Sequence, residues 1–366
     1  MPVLREKRLG NSTKWVFAGR KPYQSSKVEN YNQEVGKMKV LLLSEQEAAE
    51  LLSIEEVMEA VENAFREKAL GYAQMPPKVY LNFAKYNGDV RAMPAYLERL
   101  NVASVKIVNS HPGNPRKFGL PTVLATVVLL DPRNGALLAL MGGNSITAMR
   151  TAAAGGIAAK YLANRGSKIA SFIGAGVQAR AQLLALLLVF PNLDEIRVCD
   201  ISLKAAEAFA SEAKSKVADC RVVVVGSEAE AVRGADIVVT TTPSKKPLVF
   251  DAWVSEGTHF NCIGADAPLK EELDPAILKR AKIVVDDWEQ AAHSGEINVP
   301  LSKGVLSEKD VWAELGDVVV GTKPARTSEE EITVFDSTGL AIQDAATVEL
   351  VYKKAMSRNA GCFINI

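Results

Sequence analysis

Two kinds of hydrophobic pattern follow each other along the chain, and the first is helical. Ser44 and Glu47 have the spacing of a capping box, which predicts that a helix begins at Ser44. Apolar residues then recur at steps of three and four, as on one face of a helix: Leu51, Ile54, Met58, Val61 and Phe65. This pattern predicts one amphipathic helix from Ser44 through Phe65.

The helix is surrounded and followed by short β-like runs separated by turn formers. We predict strands at 39–43, 78–83, 90–94, 104–108, 122–130 and 136–141. The last two runs flank the turn 131–135, which is a hairpin signal, and the loop 109–115 is dense in turn-forming residues. The first block therefore combines a helix with an antiparallel-looking sheet.

The second block alternates short apolar runs with helical segments. The predicted strands are 169–173, 196–199, 222–225, 237–241, 258–263 and 283–285, with helices beginning at Val177 and Leu203 and near Glu228. Such runs are typical of buried parallel strands, and right-handed crossovers build them into a doubly wound sheet. Residues 338–352 are again helical and are expected to return to the first block.

The fold class is therefore α/β, with a Rossmann dinucleotide-binding domain and a sheet-rich α+β domain. We predict domains at 38–149 and 150–336, followed by a returning helical segment at 337–366. Residues 1–37 are polar, basic-leaning and aperiodic, which indicates a disordered extension or a misplaced start. An arm that packs on a partner subunit is the alternative.

Composition and charge exclude several classes of protein. Lys plus Arg and Asp plus Glu both number 43, so no net charge attracts nucleic acid or an anionic membrane. The four cysteines and three histidines have no paired or metal-ligand spacing, so neither a disulfide framework nor a metal site is expected. No apolar run reaches the length of a membrane span, and the N-terminus lacks the apolar core of a secretory signal, which leaves a cytoplasmic location as the expectation.

The strongest motif lies directly after the strand 169–173. Gly174 permits a tight turn, Gly176 lets the backbone approach a pyrophosphate, and Ala179 lets the helix lie close to the strand. Between them, Val177 and Gln178 begin the helix, whose free N–H groups face the phosphates.

An acidic residue completes the dinucleotide fingerprint. Asp200 ends the next predicted strand, where an acid accepts hydrogen bonds from ribose hydroxyls and repels a 2′-phosphate. The expected cofactor is therefore NAD rather than NADP. The alternative is that Asp200 only caps the next helix. The ends of two later strands, with Thr241 and with Gly264, Ala265 and Asp266, are expected at the same edge.

Few residues suggest chemistry on a small amino acid, which needs a cation for its carboxylate and a base for its amine. Arg91, Lys106 and Arg150 are cations in or beside apolar segments, and Asp266 lies at a strand end. Each of the three cations could equally face solvent, and the alternative for Asp266 is that it merely caps a turn. His111, in a loop rich in glycine and proline, is a weaker candidate.

From about Met38 to the C-terminus, however, the chain resembles the ornithine cyclodeaminase and μ-crystallin family, and within it the archaeal-type alanine dehydrogenases. The matching stretches are 74–81, 91–95, 106–115, 119–122, 150–153, 174–178, 263–266, 295–297 and 335–344.

The resemblance implies a homodimer whose first domain binds substrate and forms the dimer. It implies that Arg91 binds the substrate carboxylate, that Lys106 contacts the carboxylate or keto oxygen and shuttles a proton, and that Asp266 is the acid/base partner at the amine. Arg150 and Thr122 would touch cofactor or substrate. The residues implied to line NAD are Gln178, Asp200, Thr241 and Ser337.

Two positions depart from the family pattern. The family often has an acidic residue where this chain has Gly142 or Gly143, and it usually has glycine where Leu269 stands. Because Leu269 lies just past Asp266, the second departure bears on which substrate side chain is preferred.

The expected function is NAD-dependent oxidative deamination of a small L-amino acid, foremost L-alanine to pyruvate and ammonia. Ornithine cyclodeamination and reduction of a cyclic imine share the same cleft and stay open as alternatives. A further alternative, outside the enzymes, is a non-catalytic ligand-binding protein that retains NAD, as the μ-crystallins suggest.

Overall fold

A computed structural model of the chain describes residues 4–9, 12–17 and 38–366. Residues 169–336 contain a sheet of eight strands that all run parallel, which we call the parallel sheet. The strands of this sheet are β10 (Ile169–Ile173), β11 (Glu195–Cys199), β12 (Arg221–Val224), β13 (Ile237–Thr240), β15 (His259–Cys262), β17 (Lys282–Val285), β18 (Val311–Glu314) and β19 (Thr333–Asp336).

The strand order of the parallel sheet is β12-β11-β10-β13-β15-β19-β17-β18. The first five strands therefore follow the 3-2-1-4-5 order of a Rossmann fold, which reverses between β10 and β13. The sixth place is taken by β19, the last strand of this sheet along the chain. Dinucleotides bind outside the carboxyl ends of the strands at such a switch point. The predicted doubly wound sheet is confirmed.

In a second sheet, which we call the mixed sheet, the strand Lys39–Leu43 runs parallel to the strand Leu137–Gly142, and the pairs between Ala73–Gln74 and Leu137–Gly142 are antiparallel. Its strands are β3 (Lys39–Leu43), β4 (Ala73–Gln74), β5 (Val79–Phe83), β6 (Gly88–Leu97), β7 (Val102–Ser110), β8 (Val123–Leu130), β9 (Leu137–Gly142) and β20 (Cys362–Asn365). A small parallel pair is formed by β14 (Lys245–Val249) and β16 (Glu271–Leu273).

Helices cover one face of the mixed sheet and surround the parallel sheet. They are α1 (Glu45–Glu50), α2 (Ile54–Ala69), α3 (Asn114–Phe118), α4 (Asn144–Leu162), α5 (Val177–Val189), α6 (Leu203–Lys216), α7 (Glu228–Val232), α8 (Pro275–Arg280), α9 (Trp288–Ser294), α10 (Asn298–Ser302), α11 (Leu315–Val320) and α12 (Ala341–Arg358). Three single 3-10 turns lie at Ala84–Tyr86, Asp251–Trp253 and Glu308–Asp310.

Alternation along β7 separates the two faces of the mixed sheet. Val102, Ser104, Lys106 and Val108 are buried, whereas Ile107 is 46% exposed. The buried face lies under α12, which packs on both β6 and β7. The C-terminal helix α12 therefore packs on the mixed sheet, and it covers the face that carries Lys106.

Two helix predictions were wrong in detail. The predicted single helix from Ser44 is two helices, α1 and α2, because Leu51 ends the first and Ser53 has an extended backbone. The capping box of Ser44 and Glu47 is confirmed. The last helix begins at Ala341 rather than residue 338, since Gly339 has a φ of +79° that a helix cannot contain.

The extension and the domain boundaries stay predictions. Within residues 1–37, Leu4–Leu9 (β1) and Ser12–Phe17 (β2) pair antiparallel, and the rest of the predicted extension lies outside the described residues. Residues 40–364 form one compact unit. The boundary predicted between 149 and 150 falls inside α4, and the one at 336 falls at the end of β19.

One apolar core joins the two sheets. It contains Leu41 and Val127 from the mixed sheet together with Val284 and Phe335 from the parallel sheet. Small residues of α4 lie in the same core: Ala152, Ala153, Ala154 and Ala158. Because small side chains allow close helix packing, α4 contacts α2 on one side and α5 on the other.

Candidate active site

The glycine turn after β10 has the geometry that the motif requires. Gly174 has a φ of +95°, and a Cβ built there would lie 2.7 Å from Thr241 Oγ1. A Cβ on Gly176 would meet nothing within 4 Å, so the turn faces open space. Helix α5 begins next to it without a side-chain cap, and Val177 is 71% exposed. The N–H groups of its first turn are therefore available to a phosphate.

Asp200 stands at the end of β11 beside this turn. Its Oδ2 accepts a hydrogen bond from the Ala175 N–H and its Oδ1 accepts one from the Ser202 N–H, both at 2.7 Å. Ser202, not Asp200, is the N-cap of α6, since its Oγ accepts from Ala205 N. The reading of Asp200 as a mere helix cap is therefore wrong, and the acid is fixed against the glycine turn.

Further strand ends complete what we call the dinucleotide edge, formed by the carboxyl ends of β10, β11, β13, β15 and β19. Thr241 donates its N–H to Ile173 O, which ties β13 to the glycine turn. Gly264 follows β15 and donates its N–H to Glu272 Oε2, while Ala265 is buried. Among the described residues, Ser337 Oγ and Gln178 Oε1 are buried without a hydrogen-bond partner. These unpaired atoms, the open turn and Asp200 fit a dinucleotide.

The mixed sheet contributes cations to the wall of the site that lies opposite the dinucleotide edge. Tyr80 pairs with Arg91 across β5 and β6, and Met93 pairs with Lys106 across β6 and β7. Period-two alternation therefore directs Arg91 and Lys106 to the same face. We call Lys78, Arg91, Lys106 and Arg150 the cationic cluster.

Arg91 is the member that reaches the dinucleotide edge. Its Nε lies 3.0 Å from Asp89 Oδ1, and its Nη1 lies 3.2 Å from Asp266 Oδ2. The guanidinium also lies over the Tyr80 ring at 5.3 Å. Burial acts to lower the pKa of Arg91, but Asp266 and Asp89 hold it above its ordinary value.

Asp266 contacts a second cation. Its Oδ1 lies 2.5 Å from Lys270 Nζ, which also donates to Gly264 O at 3.2 Å. Burial acts to raise the pKa of Asp266, but Lys270 and Arg91, with a contribution from Lys78, hold it well below the usual range. Asp266 is therefore an ionised acid located between the two walls of the site.

Lys106 and Arg150 meet at an acid that the sequence analysis did not single out. Lys106 Nζ lies 2.8 Å from the Asp344 carboxylate, and Arg150 Nε lies 3.1 Å from Asp344 Oδ1. Arg150 Nη1 donates to Gln343 Oε1 at 2.9 Å. The solvent-facing alternatives for both cations are wrong, because α12 covers them. Burial and Arg150 lower the pKa of Lys106 to about 7, against the attraction of Asp344.

Lys78 is a second residue that the sequence analysis missed as a site residue. It lies just before β5, and its Nζ donates to Thr338 O at 2.6 Å. Burial lowers its pKa to about 8, with Asp286 and Asp266 opposing and Arg91 and Arg150 adding to the shift. A lysine that loses its proton near pH 8 is suited to acid–base chemistry.

Asp286, which faces Lys78, was also missed. It follows β17 at the carboxyl edge, and its Oδ2 accepts hydrogen bonds from the Thr338 and Gly339 N–H groups. Burial raises its pKa to about 6, against the attraction of Lys78. The strand-end rule applied to Thr241 would have found Asp286, and an acid within the small, apolar run 341–346 was the signal for Asp344.

The remaining predicted residues lie apart from these contacts. Thr122 lies in the bend before β8, and its carbonyl accepts from His111 N at 2.7 Å. The His111 ring lies 6.0 Å from the Phe83 ring, and a Cβ on Gly88 would collide with it. Among the contacts of the described residues, none joins Thr122 or His111 to the cationic cluster.

The two departures from the family pattern have different consequences. The first turn of α4, next to Gly142 and Gly143, is capped by an acid from a distant segment, because Glu45 accepts from the N–H groups of Asn144 and Ser145. Leu269 has a φ of +67°, a region that favours glycine, and it is 66% exposed. Its N–H donates to Asn298 Oδ1.

The structure offers two negative observations about the part of the chain that it describes. No group of three or more His, Cys, Asp or Glu side chains is arranged there to hold a metal ion. None of its helices combines the length and the apolar character that crossing a bilayer requires.

A Rossmann sheet, an open glycine turn and an opposing cationic wall define a dinucleotide-binding protein with a site for a small anionic ligand. A sequence profile of the ornithine cyclodeaminase/mu-crystallin family matches residues 38–359. The chain belongs to this family, which confirms the resemblance.

The chain is similar to several dehydrogenases and reductases. An alanine dehydrogenase of Archaeoglobus fulgidus is 54% identical over 324 residues, covering 88% of this chain and 98% of the relative. A solved archaeal alanine dehydrogenase dimer with bound NAD has a TM-score of 0.85 at 54% identity, covering 89% of this chain and 99% of that chain. A Thermococcus litoralis Δ1-pyrroline-2-carboxylate reductase in complex with NADH and L-proline has a TM-score of 0.86 at 44% identity, covering 89% and 100%.

Proposed function

We propose that this protein catalyses the reversible NAD-dependent oxidative deamination of a small L-amino acid, with L-alanine yielding pyruvate and ammonia. The observation that carries the proposal is the 3.2 Å contact between Arg91, from the mixed sheet, and Asp266, from the dinucleotide edge. An amino acid with its carboxylate on Arg91 and its amine beside Asp266 would present its α-hydrogen to a bound dinucleotide. The 54% identity to an alanine dehydrogenase supports alanine as the substrate.

NAD is the proposed cofactor, and when bound it supplies the hydride acceptor. The N–H groups after Gly174 and Gly176, at the start of α5 with Val177 and Gln178, would hold the pyrophosphate. Asp200 would accept hydrogen bonds from the ribose hydroxyls. The residues proposed to line the nicotinamide half are Thr241, Gly264, Ala265, Asp266 and Ser337.

Binding and proton transfer fall to the charged side chains. Arg91 binds the substrate carboxylate, because its guanidinium presents a planar edge that matches a carboxylate. Asp266 holds the α-ammonium, and Lys78, with its pKa lowered to about 8, takes a proton from it. After loss of the α-hydride, the same groups return protons as water adds to the imine and ammonia leaves.

Lys106 and Arg150 form the deeper part of the cationic cluster. Lys106, with a pKa lowered to about 7, is proposed to shuttle a proton and to attract the carboxylate or keto oxygen. Arg150, held by Asp344 and Gln343, adds positive potential at the substrate and cofactor. Thr122, before β8, stays a proposed contact of the same cleft.

Reduction of a cyclic imine is the second candidate. The similarity to a Thermococcus litoralis reductase in complex with NADH and L-proline favours it, since an imino acid carries the same carboxylate for Arg91. The hydride would then move from NADH to a ring carbon, with Lys78 as the proton donor. Ornithine cyclodeamination uses the same first step and ends in proline.

An assay with three substrates tests these activities. The protein is incubated with NAD and L-alanine, with NAD and L-ornithine, and with NADH and Δ1-pyrroline-2-carboxylate, while NADH absorbance and proline are followed. We expect NADH to accumulate with L-alanine, and Arg91→Met, which loses the carboxylate site, to abolish it. Proline formed without net NADH would identify a cyclodeaminase instead, and turnover of the ring imine alone would identify a reductase.

A homodimer is part of the proposal. The outer face of the mixed sheet exposes apolar side chains, among them Val79, Leu81, Ile107 and Leu140. Apolar faces of this kind mark interfaces, and a similar alanine dehydrogenase is a dimer with bound NAD. We therefore propose a second copy of this chain as the occupant. Light scattering after gel filtration should give twice the chain mass, and Ile107→Lys should give a monomer; a wild-type monomer contradicts the proposal.

The partners proposed are thus a small amino or imino acid and a second copy of the chain, without nucleic acid or membrane. We also propose a cytoplasmic location, where the NAD pool and free amino acids are available to such an enzyme. Fractionation of the native cells, followed with an antibody against the chain, tests the location.

A further inference from the structure

The edge of Arg91 that is proposed to bind a substrate carboxylate already carries one. Asp89 occupies the Nε and Nη2 side of the guanidinium, at 3.0 and 3.3 Å. Asp266 Oδ2 accepts from Nη1 at 3.2 Å. A substrate carboxylate must therefore compete with Asp266 for Arg91.

Asp266 has an alternative cation, and that cation is held in place. Lys270 Nζ contacts the other oxygen, Oδ1, at 2.5 Å. The backbone around Lys270 is fixed by the buried Asn298, which donates Nδ2 to Lys270 O at 2.9 Å and accepts from Leu269 N at 3.1 Å. Asp266 can therefore lose Arg91 and still keep one ion pair.

We propose that Asp266 acts as an internal stand-in for the substrate carboxylate on Arg91, and that Lys270 is the positioning residue that retains Asp266 when substrate displaces it. This inference rests on the proposed function of Arg91. After the exchange, Arg91 holds the substrate carboxylate, while Asp266 stays on Lys270 with one face free for the substrate amine. Lys270 itself does not touch the substrate.

The energetic reason is the cost of a partly buried carboxylate without a cation. With Lys270 in place, displacement exchanges one ion pair of Arg91 for another. Without Lys270, displacement would strand Asp266, so Asp266 would keep Arg91 and exclude the carboxylate. The effect of Lys270 on ligand binding must therefore pass through Asp266.

A double-mutant cycle measures this coupling without turnover. Pyruvate is titrated calorimetrically into the NAD-saturated protein at 0.15 M salt, for wild type, Lys270→Met, Asp266→Asn and the double variant. With Asp266 present, we expect Lys270→Met to weaken pyruvate binding by at least about tenfold. In the Asp266→Asn background, we expect the same substitution to weaken it by less than about threefold. Lys270→Arg keeps the charge and is expected within about threefold of wild type.

The outcomes separate the possible roles of Lys270. An equal loss in both backgrounds means that Lys270 contacts the ligand directly, and it overturns the proposal. No loss in either background overturns it as well. A parallel loss of NAD affinity, followed by protein fluorescence, would reveal a merely structural role.

Failure of the proposed function would look different. If wild type does not bind pyruvate, alanine chemistry is contradicted, and the cycle is repeated with L-proline, whose carboxylate must make the same exchange. The inference stands if the coupling appears with L-proline. If wild type binds neither ligand, Arg91 is not a carboxylate site and both proposals are wrong.

Discussion

Lys106 and Asp344 form an ion pair with no exposed surface on either side chain, at 2.8 Å, between a strand of the mixed sheet and the C-terminal helix. Arg150 shares the same carboxylate. One acid thus pairs with two buried cations from two different elements. Buried charged side chains are stable only with such partners, because the attraction between them must offset the cost of removing each charge from water.

Removal of the Asp344 carboxylate should therefore lower the stability of the folded protein. We expect Asp344→Asn to lower the free energy of unfolding by about 3 to 5 kcal/mol, because it leaves Lys106 and Arg150 uncompensated. Guanidinium denaturation measures the change. Glu349→Gln, which breaks a partly exposed pair with Lys353 on the same helix, is the control and should cost under about 1 kcal/mol. Equal stability of the two variants would contradict this account of Asp344.

Lys78 should be essential for proton transfer. Lys78→Arg keeps the positive charge but cannot release a proton, so we expect kcat for L-alanine to fall by about 10² to 10⁴. Lys85→Arg, on an exposed lysine after β5, is the matched control and should keep full activity. Pyruvate binding by Lys78→Arg should persist. Normal turnover in this variant would remove Lys78 from the mechanism.

The pH dependence should follow the same lysine. In the proposed mechanism, deamination needs Lys78 neutral. Because its pKa is lowered to about 8, kcat/KM for L-alanine should rise with pH and level off above about 8. The reductive direction needs the protonated lysine, so its rate should fall over the same range. Initial rates in both directions from pH 6 to 10 measure this. Parallel profiles in the two directions would contradict the assignment.

Asp200 should determine which dinucleotide is preferred. Asp200→Asn keeps an oxygen for the Ala175 N–H but removes the charge that repels a 2′-phosphate. We expect the preference for NADH over NADPH to drop by about tenfold or more in fluorescence titrations. Asp194→Asn, an exposed acid before β11, should leave the preference unchanged. Equal wild-type affinities for the two dinucleotides would contradict the choice of NAD.

Asp336 should make stability depend on pH. Burial raises its pKa to about 8, although the Glu296 and Ile297 N–H groups oppose the shift. The folded protein then holds a proton that the unfolded chain releases, so stability falls as pH rises from the unfolded value, about 4, to about 8.

Thermal unfolding from pH 5 to 9 measures that slope. Asp336→Asn cannot ionise, so its Tm should fall less steeply. The two curves should lie close together at low pH, where Asp336 is protonated, and should separate as the pH rises. Exposed Asp219→Asn should keep the wild-type slope. If the slope of Asp336→Asn matches that of wild type, Asp336 is not the group responsible.

The sequence predicted the parts of this molecule that are governed by local pattern. The glycine turn, the alternating strands and the capping box at Ser44 all follow from neighbouring residues, and the structure has them. The break at Ser53 was invisible, since the helical spacing of apolar residues continues across it.

The cationic cluster could be predicted only in part. Alternation places Arg91 and Lys106 on one face, but it cannot say that α12 covers that face. Asp344 and Lys78 acquire their roles from contacts more than 200 residues apart in the chain, namely Lys106 with Asp344 and Lys78 with Thr338. Pairings of that range are a property of the tertiary fold.

The core that joins the two sheets has a consequence for how the molecule comes apart. Val127 and Phe335 belong to different sheets but to one continuous apolar cluster, with the small residues of α4 between them. Neither sheet can lose its packing without exposing side chains of the other. Heating should therefore melt both layers in a single cooperative transition, and a fragment carrying the Rossmann strands alone would lack part of its own interior.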